Sequence, residues 1–316
     1  MASAYTPSQI AQYESHVLLP PRFRKASNPP LDIAYLTALH IHQLSSVPYE
    51  NLLLHYSTHH SVSLDPQVIF KKIVTDKRGR GGYCMENSIF FNHVLRALGF
   101  TVYTAGVRIR PRVGGVPGGD YIGWVHIVNI VTLPCGSKYV LDVGFGGDGA
   151  TKPLPLISGH VTSNLGTQEI RLLHDTIPQQ MDQSQKLWIY QYRNGRDKEW
   201  NSFYAFPETE FLHADFEVMS FYTSQFTGGT NFQTRTVLIV RFLLGEGEDG
   251  GEEIVRKVML VNGEVKRNDG GKTRVVMVCK TEEERVSALK EHFEIELTEE
   301  EIAGVKGRNV ELLGEE

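Results

Sequence analysis

The chain has 316 residues, 41% of them apolar and 22% charged, with a formal net charge of −5. That length allows two or three packed units around a sizeable core, and the composition is that of an ordinary folded domain rather than a basic nucleic-acid scaffold or a cationic membrane patch. No apolar run approaches the roughly 18 residues of a membrane-crossing helix, and MASAYTPSQIAQYESHVLL lacks the basic-then-apolar order of a secretion signal.

The three cysteines, Cys84, Cys135 and Cys279, are sparse and far apart, with no CxxC or CxxH pairing. They predict neither a disulfide framework nor a structural zinc site, and they fit a reducing, cytoplasmic setting.

Helical signals dominate the first hundred residues. Thr6-Pro7 has the form of a helix cap followed by proline in the first turn. From Asp32 onward, Ile33, Leu36, Leu39 and Ile41 recur at helical spacing until Pro48. Asp65-Pro66 opens a further helix through residue 75. After Cys84, the side chains of Ile89, Phe90, Val94 and Leu98 share one helix side, and Gly99 ends it.

The pattern changes at Thr101. TVYTAGVRIR, WVHIVNIVTL and KYVLDVGF are β-branched and separated by glycine- or proline-rich turns, which predicts an antiparallel sheet or barrel. TIPQQMDQSQK, residues 176–186, reads as a loop. TVLIVRFLL, EIVRKVMLVNG and TRVVMVC are strands, and a helix follows from Thr281, where Glu284 completes a capping box. The acidic stretch GEGEDGGEE, residues 245–253, is expected to be a solvated hairpin tip and not a metal site.

Three residues stand out. His126 lies in GWVHIVNIV and Asp142 in YVLDVGF, both apolar strands. A buried carboxylate without a partner costs about 3–5 kcal/mol, so Asp142 needs a cation or hydrogen-bond donor, and His126 is the nearest candidate. LPCGSK, residues 133–138, reads as the hairpin turn joining their strands. An even register keeps the two side chains on one face; a two-residue turn at Cys135-Gly136 gives an odd register and separates them. Cys84 follows glycine turns at a helix start, where the helix dipole favours negative charge on sulfur. Singly, a strand histidine is most often a satisfied core residue and a lone cysteine a buried filler. Jointly, cysteine, imidazole and carboxylate form the set that activates a thiol nucleophile.

RGGYCME (80–86), the histidine of GWVH (123–126) and DVGFG (142–146) resemble the three signature segments of the arylamine N-acetyltransferase family. VPYENL (47–52) is similar to a segment those proteins carry before the cysteine. KPLPLISG (152–159) and the extended C-terminal region resemble eukaryotic members, fungal ones among them. The resemblance spans residues 5–165 and thins beyond residue 170.

The resemblance implies an α+β fold with a cysteine-protease-like catalytic core. It divides into an N-terminal helical bundle (1–100) carrying the cysteine, a central antiparallel β-barrel (101–215) carrying histidine and aspartate, and a C-terminal α/β lid (216–316). It implies Cys84 as nucleophile, His126 as base and Asp142 as orienting carboxylate. Arg80, Glu86, Glu50 and Asn51 would tie the cysteine loop together through buried polar pairs. Many members have asparagine four residues after the cysteine; here Asn87 is third and Ser88 fourth, which touches a supporting hydrogen bond.

The implied reaction is ping-pong acyl transfer. Cys84 takes the acyl group of acetyl-CoA, or of another short acyl-CoA such as propionyl or malonyl, and passes it to an aromatic amine or hydrazine, with no metal. Phe145 is expected at the amine pocket, and Gly123 and Trp124 at the pantetheine arm. Phe226 and Gly228, in FTGGT, are candidates for coenzyme contact, although a plain turn is the competing reading there. RVGGVPGGD, residues 112–120, lacks the phosphate-loop pattern and reads as a flap beside the cleft. No nucleic acid or membrane partner is implied, and oligomeric state is open. The alternative is a transglutaminase-like cysteine hydrolase or transamidase, which uses the same order of Cys, His and Asp.

Overall fold

The computed structural model describes residues 2–228, 231–247 and 250–314. Local cap chemistry sets the helices of the N-terminal part. In α1 (Pro7–His16) the Thr6 hydroxyl accepts from the Gln9 amide and the Gln9 side chain returns to Thr6. The Asp32 side chain caps α2 (Ile33–Ser46), and Asp65 caps α4 (Pro66–Phe70). A short α3 (Leu53–Tyr56) precedes α4, which continues through a wider turn at Lys71–Thr75. The long helix α5 (Cys84–Leu98) begins at the cysteine itself, and Gly99 closes it at φ +102°. Among these helices lie Tyr35, Leu36, Leu39, Phe90, Phe91 and Val94, all buried.

The expected run of helices has one exception. Past Pro48 the chain extends as β1 (Tyr49–Glu50), which pairs with a strand of the C-terminal sheet, Tyr49 opposite Val240.

The middle of the chain forms β2 (Thr101–Ile109), β3 (Arg112–Val113), β4 (Val116–Pro117), β5 (Trp124–Thr132), β6 (Lys138–Leu141), β7 (Leu154–Pro155), β8 (Val161–Ser163), β9 (Glu169–Asp175), β10 (Leu187–Arg193) and β11 (Asn201–Phe206). Eight of them make one antiparallel sheet in the order β7-β6-β5-β2-β11-β10-β9-β8, a nearly closed barrel, while β3 and β4 form a separate small hairpin. Alternation sorts the side chains of β5: Val128 and Ile130 enter the barrel core, whereas Ile127 and Val131 pack against the helices. Residues 176–186 form the loop between β9 and β10, as expected.

Helix α6 (His213–Gln225) spans residue 215, where the barrel portion was expected to end. A five-stranded sheet follows, in the order β1-β12-β13-β14-β15, with β12 (Leu238–Glu246), β13 (Glu252–Val261), β14 (Glu264–Asn268) and β15 (Arg274–Val278). α7 (Glu282–Phe293) starts at the Thr281–Glu284 capping box, and α8 (Glu299–Gly304) repeats the motif with Thr298 and Glu301. GEGEDGGEE joins β12 to β13 as a hairpin tip, with Glu248 and Asp249 outside the described residues. Among the described residues no group of three or more potential ligands could hold a metal ion, and no helix is long and apolar enough to cross a membrane.

One strand-level expectation is corrected, and the open register is fixed. The strand expected through YVLDVGF stops at Leu141, so Asp142 opens the following loop. The hairpin turn holds three residues, Pro134, Cys135 and Gly136, because the Leu133 amide donates to Ser137 and Gly136 adopts φ +87°. The register is therefore even: Asn129 faces Leu141, and Thr132 faces Lys138.

Candidate active site

Even register puts His126 and Asp142 on the same side of the β5–β6 ladder, both buried. His126 Nε2 lies 2.8 Å from Asp142 Oδ2, and the other carboxylate oxygen accepts from the Gly144 amide at 3.1 Å. Both oxygens are thus satisfied, which a buried carboxylate requires. The carboxylate takes Nε2–H, leaving Nδ1 to the thiol. Cys84 lies near enough to the imidazole for its charge to act on it. Burial pushes the His126 pKa down, but the Asp142 charge and hydrogen bond, with Cys84 behind them, outweigh it and raise it to about 10.

Cys84 is the first residue of α5, 3% exposed, with its sulfur 3.9 Å from the Val125 carbonyl. Three side chains from a helix start, a strand and a loop therefore meet where bundle and barrel join.

Glycines allow that meeting. A β-carbon on Gly144 would stand 2.8 Å from Cys84 Cα, and one on Gly81 would stand 1.8 Å from the Pro48 carbonyl oxygen. The cysteine loop also pairs with β1, the Glu50 amide donating to the Gly82 carbonyl at 3.0 Å.

Charge pairs hold this loop. Arg80 is 1% exposed and pairs with Glu50 at 3.0 Å and with Glu301 of α8 at 2.5 Å. Glu86 meets Lys72 at 2.5 Å and accepts from the Tyr83 amide. Burial pushes the Glu50 carboxyl up, but the Arg80 and Lys72 charges hold it below the usual carboxylate range. For Glu86, burial wins over Lys72 and the carboxyl is raised. Asn51 ties β1 to β12, donating to the Thr236 carbonyl and accepting from the Leu238 amide, and does not touch the cysteine loop. Asn87 donates to the Pro48 carbonyl at 3.2 Å, while Ser88 Oγ is buried with no partner.

Of the other expected positions, Phe145 is half-buried and stands edge-on to His126, ring centres 5.2 Å apart. Phe203 and Tyr204 continue this aromatic wall, 4.7 and 4.9 Å from Phe145. Neither was singled out in the sequence, because NSFYAF carries no motif and only barrel closure brings it here. Gly123 is exposed, with open space where a β-carbon would point. Trp124 is half-buried under the Arg108 guanidinium, 4.0 Å from its ring centre. Phe226 ends α6, 45% exposed and stacked on Tyr222, with Gly228 just beyond it; Gly229 and Thr230 of FTGGT lie outside the described residues. The 112–120 segment is the β3–β4 hairpin, tied down by an ion pair of Arg112 with Asp148 in the loop after Asp142.

The sequence profile of the N-acetyltransferase family matches residues 32–302. The chain belongs to that family. Relatives in this N-acetyltransferase family include the N-malonyltransferase FDB2 of Fusarium pseudograminearum (strain CS3096), 36% identical over 95% of this chain and 92% of that protein. Arylamine N-acetyltransferase 1 of Oryctolagus cuniculus is 35% identical over 41% of this chain and 42% of its own length. The fold matches that of the arylamine N-acetyltransferase from Salmonella typhimurium with a TM-score of 0.76, at 23% identity, over 95% of this chain and 98% of that one. The Mycobacterium marinum arylamine N-acetyltransferase in complex with CoA matches with a TM-score of 0.70, at 23% identity, over 96% and 97% of the two chains. As a member of the N-acetyltransferase family the chain is an acyltransferase. Its α+β architecture of helices, nearly closed barrel and C-terminal sheet is the one shared by those structures.

Proposed function

We propose that the protein transfers a short acyl group from an acyl-CoA to an aromatic amine or hydrazine through a thioester on Cys84. The buried His126–Asp142 pair at 2.8 Å, with Cys84 beside it at the Val125 carbonyl and against Gly144, carries this reading. His126 takes the thiol proton, and the sulfur attacks the acyl-CoA carbonyl. The tetrahedral adduct collapses with loss of CoA, whose sulfur leaves with the proton. The amine then attacks the Cys84 thioester. His126 accepts the proton it loses and returns it to the departing cysteine sulfur. One thioester replaces another in the first half, so no other energy source is needed.

Phe145, with Phe203 and Tyr204, offers an edge-on aromatic wall beside His126 for the amine's ring. Gly123 and Trp124, at the open end of β5, suit the pantetheine arm, and Arg108 above Trp124 adds a cation there. Phe226 and Gly228 keep the plain-turn reading, since Phe226 stacks on its own helix. Its unpaired cysteines support a cytoplasmic setting within this reading.

Acetyl is the expectation from the wider family, but identity to the Fusarium N-malonyltransferase over nearly the whole chain favours malonyl as the donor group. Malonyl-, acetyl- and propionyl-CoA are each to be offered with an aromatic amine, and the N-acylated amine quantified by chromatography. Malonyl transfer should exceed the others. No acylated amine from any donor would overturn the reading.

A further inference from the structure

A second cleft, of about 300 Å³, opens between the C-terminal half of α5, the start of β2 and the segment leading into α6. That volume lies at the lower end of small-molecule sites. None of Cys84, His126 and Asp142 lines it. Its nearest polar residue on α5, Asn92, stands about 12 Å along the helix axis from Cys84.

The floor is apolar, made of Ile89, Phe100, Val102, Phe211 and Phe216. Phe211 is fixed there because Gly106 leaves room for its ring, which a β-carbon would meet at 2.2 Å. The rim is polar and incompletely satisfied. His93 Nδ1 accepts from the Ala4 amide at 3.0 Å, which puts the ring proton on Nε2, a donor with no protein partner. The Arg96 guanidinium donates only to the Ala2 carbonyl, at 2.6 Å. Asn92, 6% exposed, donates to Asn129 at 2.9 Å and leaves its own carbonyl oxygen without a partner. Glu210 acts on Arg96 through its charge, yet among the described residues neither side chain closes an ion pair. His213, also on the rim, turns toward Glu217 at 3.7 Å.

Donor groups of His93 and Arg96 and acceptor groups of Asn92 and Glu210 thus share one rim over an aromatic floor. We propose that this cleft binds a small zwitterion with an aromatic body, of the class of free aromatic amino acids: its carboxylate on Arg96 and His93, its ammonium on Glu210 and Asn92, its ring on Phe100, Phe211 and Phe216. An arginine and a glutamate on one rim that close no ion pair among the described residues are what such a ligand completes, and a neutral apolar molecule would leave both without a partner. The site is separate from the thiol and does not rest on the acyl-transfer reading.

The test uses the full chain carrying Cys84→Ala, which excludes turnover, and 4-fluoro-L-phenylalanine followed by fluorine NMR. Saturable binding is expected, weakened about fivefold or more by Arg96→Gln and by Glu210→Gln. The N-acetyl derivative and the methyl ester, each lacking one charge, should bind as poorly to the unsubstituted cleft, a comparison that needs no variant. Excess CoA should leave the signal unchanged. No saturable signal up to about 10 mM, equal binding of the single-charge analogues, or displacement by CoA would each overturn the assignment.

Discussion

Gly144 lies against the backbone of Cys84 so closely that a β-carbon there would meet Cys84 Cα at 2.8 Å and its carbonyl oxygen at 2.9 Å. The same glycine's amide donates to Asp142, so one residue both seats the helix that Cys84 opens and holds the carboxylate beside His126. Gly144→Ala should therefore lower kcat by about tenfold or more, since displacing reacting groups by about 1 Å costs up to 10²-fold. Gly123→Ala, with nothing within 4 Å, should leave folding intact. Steady-state rates with circular dichroism check both.

Asp142→Asn keeps the shape of the site but removes the charge that holds the imidazole. A fall in kcat of about 10³–10⁴ is expected, as for other triads that lose the orienting carboxylate. An unchanged rate would assign Asp142 a purely structural role.

The raised His126 pKa has a defined sign for stability. The folded value, about 10, exceeds the ordinary value of about 6.5. The protonated imidazole's contribution is thus complete below about pH 6.5 and is lost as pH rises through about 10. Thermal melts across pH 7–10 should show wild type losing stability while His126→Gln changes less. Reaction of Cys84 with iodoacetamide near pH 6 should be fast in wild type and slow in His126→Gln. Cys135 makes a poor internal standard: its exposed thiol is pulled down by the Ser137 hydroxyl and amide, so labelling is best read in a Cys135→Ser background.

Arg80 joins three distant parts of the chain: its own cysteine loop, Glu50 of β1 and Glu301 of α8. Removing it leaves the buried Glu50 with the Leu52 amide at 2.7 Å and Lys72 at 4.0 Å. Arg80→Met should cost about 3–5 kcal/mol, read as a large drop in Tm. Because the Glu50 pKa is depressed on folding, its contribution is present above about pH 4.3 and is lost as pH falls through the folded value. Acid titration of Glu50→Gln should lack that part of the loss.

What was legible in the sequence was local. Thr6, Asp32, Asp65 and Thr281 announce their helices through side chains within three residues, and Gly99 ends α5 by its own conformation. Asp142 stood out because a carboxylate conflicts with an apolar strand, and Cys84 and His126 because they complete a chemical set with it. Residue spacing left open whether His126 and Asp142 share a face, since that depends on one extra turn residue at Pro134–Gly136, and only the family resemblance put Cys84 beside them. The β1–β12 pairing and the reach of Glu301 to Arg80, 221 positions apart, follow from chain closure and leave no trace in residue spacing.

The most direct measurement is the intact mass of the protein after mixing with malonyl- or acetyl-CoA in the absence of amine. Wild type should gain one acyl group, mapped to Cys84 and discharged by an aromatic amine, and Cys84→Ala should gain none. An increment persisting in Cys84→Ala, or one that no amine removes, would contradict acyl transfer through this sulfur.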